Sequence, residues 1–243
     1  MLASEAAWQA AERGIPVVLY EMRSITRTPA HKTDNCAELV CSNSLGNNLP
    51  HSAPYILKEE LRNLNSLVIS AGDNNSVPAG SALAVDRDLF AKEITEKISK
   101  HPLITLKRQE INEIPKEGPV IIATGPLTSP KFSLEISRLI GQEYLYFYDA
   151  LSPIIDANSI DYDTAFFASR YGKGGADYLN CPMDEKKYYK FIRELNNAER
   201  VSMASFEKPL YFEGCMPIEV LAERGPKTLA FGPLKPIGLA DPR

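Results

Sequence analysis

The chain is poor in the residues that build metal or disulfide frameworks. Its four cysteines stand at 36, 41, 181 and 215 with no Cys-x-x-Cys spacing, and its three histidines, His31, His51 and His101, are scattered. This argues against a zinc site or a disulfide scaffold, and no metal is expected. No apolar run approaches the roughly 18 residues of a membrane helix, and no charged start leads into the short apolar core of a signal peptide. An excess of positive charge is also lacking. The 27 Lys and Arg are outnumbered by 31 Asp and Glu, for a net charge of −4. A globally basic nucleic-acid binder is excluded, but a local basic face is not. There is no internal repeat. These absences describe a cytoplasmic protein with reduced thiols and no membrane partner.

What the sequence does have is apolar content. At 243 residues and 44% hydrophobic, the chain suits one large domain or two small ones with a real core. Residues 3–12 read as a helix with a small-residue face of Ala3, Ala6, Ala7 and Ala10, stopped by Gly14. "IPVVLYE" (15–21) then reads as an apolar strand of a parallel sheet buried on both faces, ending in Glu21. Helix, glycine, strand and terminal acid make the back half of a dinucleotide-binding βαβ unit. Its front half, a first strand and a GxGxxG turn, is missing, and Ala3 stands at the third small position of that turn.

Residues 23–53 are a long polar stretch, of the kind usually kept for function. Periodicity gives an amphipathic helix over 53–69 with Leu57, Leu61, Leu64 and Val68 on one face. A short strand follows at 81–85. Asp86 then caps a helix to about residue 100 with Phe90, Ile94 and Ile98 inward. Strands are expected at 103–108 and 110–115. "PVIIATG" (119–125) reads as a buried strand running into a small-residue turn suited to close backbone approach by a ligand. From about 146 the texture becomes aromatic. Short strands around 165–170 and 178–181 and a helix over 183–199 follow.

Two cysteines have a setting that suits reactivity. A thiol becomes a nucleophile where donors, cations or a helix N-terminus stabilise its thiolate. Cys41, in "ELVCSNSL", is followed by the donors Ser42, Asn43 and Ser44. Cys215, in "FEGCMPIE", precedes a helix opening near Pro217 and closed by Gly225, with Glu213 and Glu219 as proton-transfer candidates. Each thiol is equally compatible with simple packing. "YGKGGADY" (171–178) lacks phosphate-loop spacing and reads as a flexible turn. Lys186, Lys187 and Lys190 interleave with Tyr188 and Tyr189. That pattern suits RNA backbone and base contacts as well as an ordinary solvated helix face.

Taken in order, "SEAAWQAAERGIPVVLYEMR", "TPAHKTDNCAELVCSNSL", "VPAGSALAVDR", "VIIATGPLTSP", "YLYFYDALSPI", "ADYLNCPM", "FEGCMPIEV" and "FGPLKPIGLADPR" resemble the bacterial folate- and FAD-dependent tRNA (uracil-5-)-methyltransferase family. That family is related to the glucose-inhibited division protein A flavoproteins. The resemblance implies an α/β fold: a Rossmann-like FAD-binding domain over 1–145, here incomplete, a smaller inserted α+β domain over 146–230, and a return into the first domain over 231–243. It implies 5-methyluridine formation in the T-loop of tRNA, with 5,10-methylenetetrahydrofolate as one-carbon donor. Reduced FAD is the implied reductant, recharged by the nicotinamide NAD(P)H. Cys41 and Cys215 match the family's two functional cysteines. One is expected to add to the uracil ring, the other to assist proton removal or guard the flavin. Ala3, Glu21, Arg23, Asp86, Arg87 and the turn Ala123, Thr124 and Gly125 are the expected FAD contacts, and Lys186, Lys187 and Lys190 the expected RNA contacts. Both ends read as cut. Without the glycine turn the pyrophosphate lacks its helix-N-terminus site, so the chain alone is expected to bind FAD weakly or not at all. Two other readings stand beside this one: a general FAD and NAD(P)H oxidoreductase that leaves RNA alone, and an inactive RNA-binding remnant.

Overall fold

The computed structural model describes residues 1–28, 30–125, 127–141, 155–172, 175–200, 216–236 and 238. Cys215, the aromatic stretch 144–154, Lys173 and Gly174 of the glycine-rich turn, and residues 239–243 lie outside the described residues. The chain forms two compact units, Met1–Val77 with Ser81–Ser152, and Pro78–Gly80 with Pro153–Arg243.

The first unit runs α1 (Leu2–Ala11), β1 (Val17–Glu21), β2 (Ser44–Asn47), α2 (Ala53–Asn63), α3 (Leu67–Asn74), β3 (Ser76–Val77), β4 (Ala82–Val85), α4 (Arg87–Lys100), β5 (Ile104–Arg108) and α5 (Pro130–Ile140). β1 and β5 pair in parallel, from Val17 opposite Ile104 to Glu21 opposite Arg108. A parallel pair needs a long crossover, and here α4 is its last leg. α1 closes through Gly14, whose φ of +78° is in the left-handed region that favours glycine. Asp86 caps α4 by accepting from the amides of Asp88 and Leu89, both at 3.0 Å. The α4 face expected to point inward does so: Phe90, Ile94 and Ile98 are 0% exposed. They pack with Ala7, Ala11, Leu19, Leu67 and Ile104 into one core. Beside it lies an antiparallel sheet in the order β2-β4-β3. α3 crosses this sheet closely at Gly72, where a Cβ would stand 2.8 Å from Leu45 Cδ1.

Six expectations for this unit are corrected. The helix over 53–69 is two helices. Asn65 takes a left-handed φ of +54°, and Ser66 starts α3 by accepting from the Ile69 amide. Of the supposed inner face, Leu57 and Leu64 are 56% and 55% exposed, while Val68, now on α3, is buried as expected. Lys58 is buried in their place, its ammonium donating to the carbonyls of Leu45, Asn47 and Pro54 at 2.9–3.1 Å. The polar stretch 23–53 contains β2, too short and glycine-broken to read as a strand. β1 is covered on one face only. α1 and α4 pack on the sheet, while Val18 on the other face is 48% exposed. Residues 110–115 and 119–125 form no strand, because no ladder pairs them with β1 or β5. On α1 the buried face is Ser4, Ala7 and Ala11 rather than Ala6 and Ala10.

In the second unit, β6 (Phe166–Ala168) and β7 (Tyr178–Asn180) form an antiparallel pair near the expected positions. α6 (Glu185–Asn197), α7 (Ile218–Glu223) and α8 (Thr228–Phe231) follow. Asp184 caps α6 through the Lys187 amide at 2.7 Å. Ile192, Ala222 and Leu229 form a small core, and the Tyr188 hydroxyl donates to the Pro226 carbonyl at 2.9 Å while accepting from the Ala230 amide at 3.1 Å. Mixed helices and sheets with a parallel pair make the chain an α/β protein. Among the described residues no helix is long and apolar enough to cross a membrane.

Truncating the core should be costly and truncating the misjudged face should not. Ile94→Ala is expected to lower stability by about 3 kcal/mol through the cavity it leaves. Leu57→Ala should change it by less than about 0.5 kcal/mol. Urea unfolding at neutral pH measures both.

Candidate functional site

Parallel α/β sheets present ligands with the carboxyl ends of their strands. Here those ends are Glu21 and Arg108, side by side in register. The chain leaves β1 and immediately brings in a cation. Arg23 donates from Nε to Glu21 Oε1 at 2.9 Å and from Nη2 to Glu21 Oε2 at 2.8 Å, and its amide donates to Oε1 at 3.0 Å. Its third guanidinium nitrogen, Nη1, donates to Glu38 Oε2 at 3.2 Å. Arg23 is only 5% exposed. Burial pulls its guanidinium toward neutrality, but the two carboxylates outweigh this and keep it charged. Burial pushes the Glu21 carboxyl up. The bonds from Arg23 outweigh that and hold it below the ordinary carboxylate range.

Glu38 closes the following loop on itself. It accepts from the amides of Lys32 at 2.8 Å and Thr33 at 3.0 Å, and from the Thr33 hydroxyl at 2.8 Å. Burial raises its carboxyl and these bonds lower it, with a net shift downward. Two further ties hold the loop to the core side. Arg108 donates to the Asp34 carbonyl at 2.6 Å, and the Cys36 amide donates to the Thr95 hydroxyl at 2.8 Å. Cys36 is buried, which pushes its thiol up and away from reactivity. Buried Ala37 sits at φ +58°, a left-handed conformation costing about 1–2 kcal/mol that a residue with a side chain keeps only when its surroundings hold it.

Cys41 is exposed and free. It lies between Glu38 and Asn43, which is pinned to β4: its carbonyl accepts from the Val85 amide at 2.9 Å and its side-chain amide donates to the Val85 carbonyl at 3.0 Å. The expected donors therefore do not all gather on the thiol. Asn43 spends its amide on Val85, and the Ser42 hydroxyl accepts from the Ser44 amide at 3.1 Å. A cation does reach this segment, since Arg87 Nη2 donates to the Cys41 carbonyl at 3.5 Å. Two residues expected to line a cofactor and to react are thus neighbours.

Asp86 spends its carboxylate on the α4 cap, and Ala3 is half-buried in α1 against the core. The turn at Ala123, Thr124 and Gly125 is present although the strand before it is not. Gly125 has φ +71°, and the Thr128 hydroxyl donates to the Gly125 carbonyl at 2.7 Å while accepting from the Thr124 hydroxyl at 2.6 Å. In the second unit, Lys186, Lys187 and Lys190 are exposed on α6, Lys190 within 3.6 Å of Glu194. Among the described residues no group of three His, Cys, Asp or Glu could hold a metal. A recess of about 400 Å³ beside Trp8, Glu12, Arg62 and Lys97 includes none of the expected site residues, and its charged walls are already paired.

Glu38 escaped the reading of the sequence. Its only signal was an acid placed among the donors Lys32, Thr33 and Asn35, a pattern common in solvated loops.

The parallel pair, the helices packed on it and the ionised acid closing β1 define a Rossmann-like α/β protein. The family model for glucose inhibited division protein A matches residues 3–243, and the chain belongs to that family. It is similar to the methylenetetrahydrofolate--tRNA-(uracil-5-)-methyltransferases of Enterococcus faecalis and Heliobacterium modesticaldum, each 59% identical over 240 residues. That of Bacillus pumilus is 57% identical over the same length. These alignments cover 99% of this chain and 55% of each relative. The chain spans about half the length of the curated relatives it matches.

The Glu21–Arg23–Glu38 network should show in the acid response. Both carboxylates have folded pKa values below the 4.5 of an unperturbed Glu. The stability they lend is present above that value and is lost as pH falls through their lower folded values. Arg23→Met takes the shared cation from two half-buried carboxylates, and stability at neutral pH should fall by about 3 kcal/mol. The acid limb should flatten as well. Thermal unfolding from neutral pH down to pH 3 measures both effects.

Proposed function

We propose that the chain serves methylation of C5 of the T-loop uridine of tRNA, with 5,10-methylenetetrahydrofolate as the one-carbon donor and NAD(P)H as the source of electrons, in the cytoplasm. The observation that carries this reading is likeness along the whole chain, at 57–59% identity, to relatives named as methylenetetrahydrofolate--tRNA-(uracil-5-)-methyltransferases. The exposed thiol of Cys41 on its anchored loop supports it.

Uracil C5 is a weak nucleophile until something adds at C6. A thiolate adds there, forming an S–C6 bond and sending the ring electrons to C5. Of Cys41 and Cys215, one makes that bond and the other assists removal of the C5 proton or guards the flavin. Bound FAD would supply the reducing equivalents that turn the transferred one-carbon unit into a methyl group. The described residues fit it. Glu21, kept ionised by Arg23, is an acceptor suited to the adenosine ribose, and the positive-φ turn at Gly125 allows close approach of backbone. Arg23 orients Glu21, and Arg87 reaches the Cys41 carbonyl. Ala3 and Asp86 complete the proposed cofactor contacts. Lys186, Lys187 and Lys190 would meet RNA phosphates along the exposed side of α6. The target base must leave its folded loop to be reached.

The protein is incubated with unmodified tRNA transcript, methylenetetrahydrofolate, NADPH or NADH, and FAD in large excess to offset its expected weak binding, and nucleosides are read by mass spectrometry. The expected product is 5-methyluridine, absent with Cys41→Ala or Cys215→Ala. Oxidation of the nicotinamide by both variants with no methylated nucleoside from the wild type would favour a general flavin oxidoreductase instead. In a separate binding titration, replacing Lys186 and Lys187 by Ala should weaken tRNA binding and lower the salt slope by about 1 for each phosphate contact removed.

A further inference from the structure

We infer that Glu38 is a positioning residue that links the Glu21 carboxylate to the Cys41 thiol through Arg23. The inference deepens the proposed reading and rests on it for the meaning of the two ends. The link itself is a matter of geometry.

Arg23 divides one guanidinium between two acids, with Nε and Nη2 on Glu21 and Nη1 on Glu38. The guanidinium is rigid and planar, so it cannot turn toward one acid without weakening its hold on the other. Glu38 Oε2 carries three donors, from Arg23, the Thr33 amide and the Thr33 hydroxyl, while Oε1 takes the Lys32 amide. A displacement of Arg23 is therefore felt by the whole loop 32–38.

Downstream, Asn43 is fixed to Val85 by two hydrogen bonds. Residues 39–42 are strung between one anchor that Arg23 can move and one that it cannot. Cys41 is in that span. A group that takes lone pairs of Glu21, such as a ribose hydroxyl, competes with Arg23 and shifts it toward Glu38. The thiol's setting then depends on occupancy at the end of β1. Among the described residues Glu21 makes no hydrogen bond or ion pair with residues 39–42, and Arg23 with Glu38 is the path between them.

The test is a double-mutant cycle read on Cys41 rather than on turnover. The rate of Cys41 alkylation by iodoacetamide is measured by peptide mass spectrometry in the native protein at physiological ionic strength. The four proteins are wild type, Glu21→Gln, Glu38→Gln and the double variant, with protection of buried Cys36 reporting that each is folded. Glu21→Gln is expected to change the Cys41 rate by about threefold or more in the wild type, and to have no effect once Glu38 is Gln. A Glu38 that only staples its own loop would leave Cys41 indifferent to Glu21. An unchanged rate in Glu21→Gln, or the same change in both backgrounds, overturns the inference. Should Glu38→Gln not protect Cys36, the cycle is run with Glu38→Asp and judged by the same two outcomes. No tRNA or folate enters the experiment. A protein that shows the coupling but makes no 5-methyluridine sinks the proposed function and leaves this link standing.

Discussion

A buried guanidinium must be paired, and most of the site's architecture follows from that requirement. Arg23 leaves water two residues after β1 ends, and taking its charge out of water would cost several kcal/mol without partners. Glu21 supplies one partner from the strand itself. The second, Glu38, lies fifteen residues along the chain from Arg23, so the loop has to return to meet it. On the way back it gives its amides to Glu38, its Asp34 carbonyl to Arg108 and its Cys36 amide to Thr95. A polar stretch with little regular structure is thereby fixed to the carboxyl end of the parallel strands.

The two cysteines of this loop illustrate how position decides chemistry. Cys36 is driven into the core, where burial favours its neutral thiol. Cys41 comes after the loop has closed and stays in solvent, one step from the pinned Ser42–Asn43 corner and with Arg87 on its carbonyl. The same element type has two fates because the anchors fall between them. Membership in the glucose inhibited division protein A family gives this arrangement a context. In the proposed reading, the acid closing β1 meets a dinucleotide's ribose and the exposed thiol on its anchored loop adds to a pyrimidine. The lysines of α6 stand on a separate unit, on a helix whose apolar side is occupied by Ile192 and Tyr188, so their charges are left to solvent.

The fold was most legible where one helix carries a strong period and a cap. In α4, the aspartate at 86 and the spacing of Phe90, Ile94 and Ile98 specify start, direction and inner face together, and all three are fully buried. The reading failed where a local conformation outranked the pattern. Nothing in the spacing of Leu57, Leu61 and Leu64 reveals that Asn65 turns left-handed and lets Ser66 begin another helix. It failed again at 119–125, where a fine strand sequence has no partner ladder. A strand is a property of two segments and cannot be read from one. Of the proposed site, Glu21 and Cys41 were singled out from type and place, and Arg23 through the family resemblance. Glu38 was not, because the sequence does not say which acid in a polar loop turns inward.

The sequence by itself determined the α/β alternation, the acid at the end of β1, the α4 core face and the pair of thiols worth attention. These follow from period, propensity and residue chemistry, which act over a few positions. Only the tertiary structure decided that Arg23 serves two carboxylates, that Asn43 answers to Val85 rather than to the thiol, and that Arg87 reaches the Cys41 carbonyl. Each of those joins residues far apart in the chain. Such pairings are fixed by the cost of leaving a buried charge or donor unsatisfied, and that cost exists only once the chain has folded.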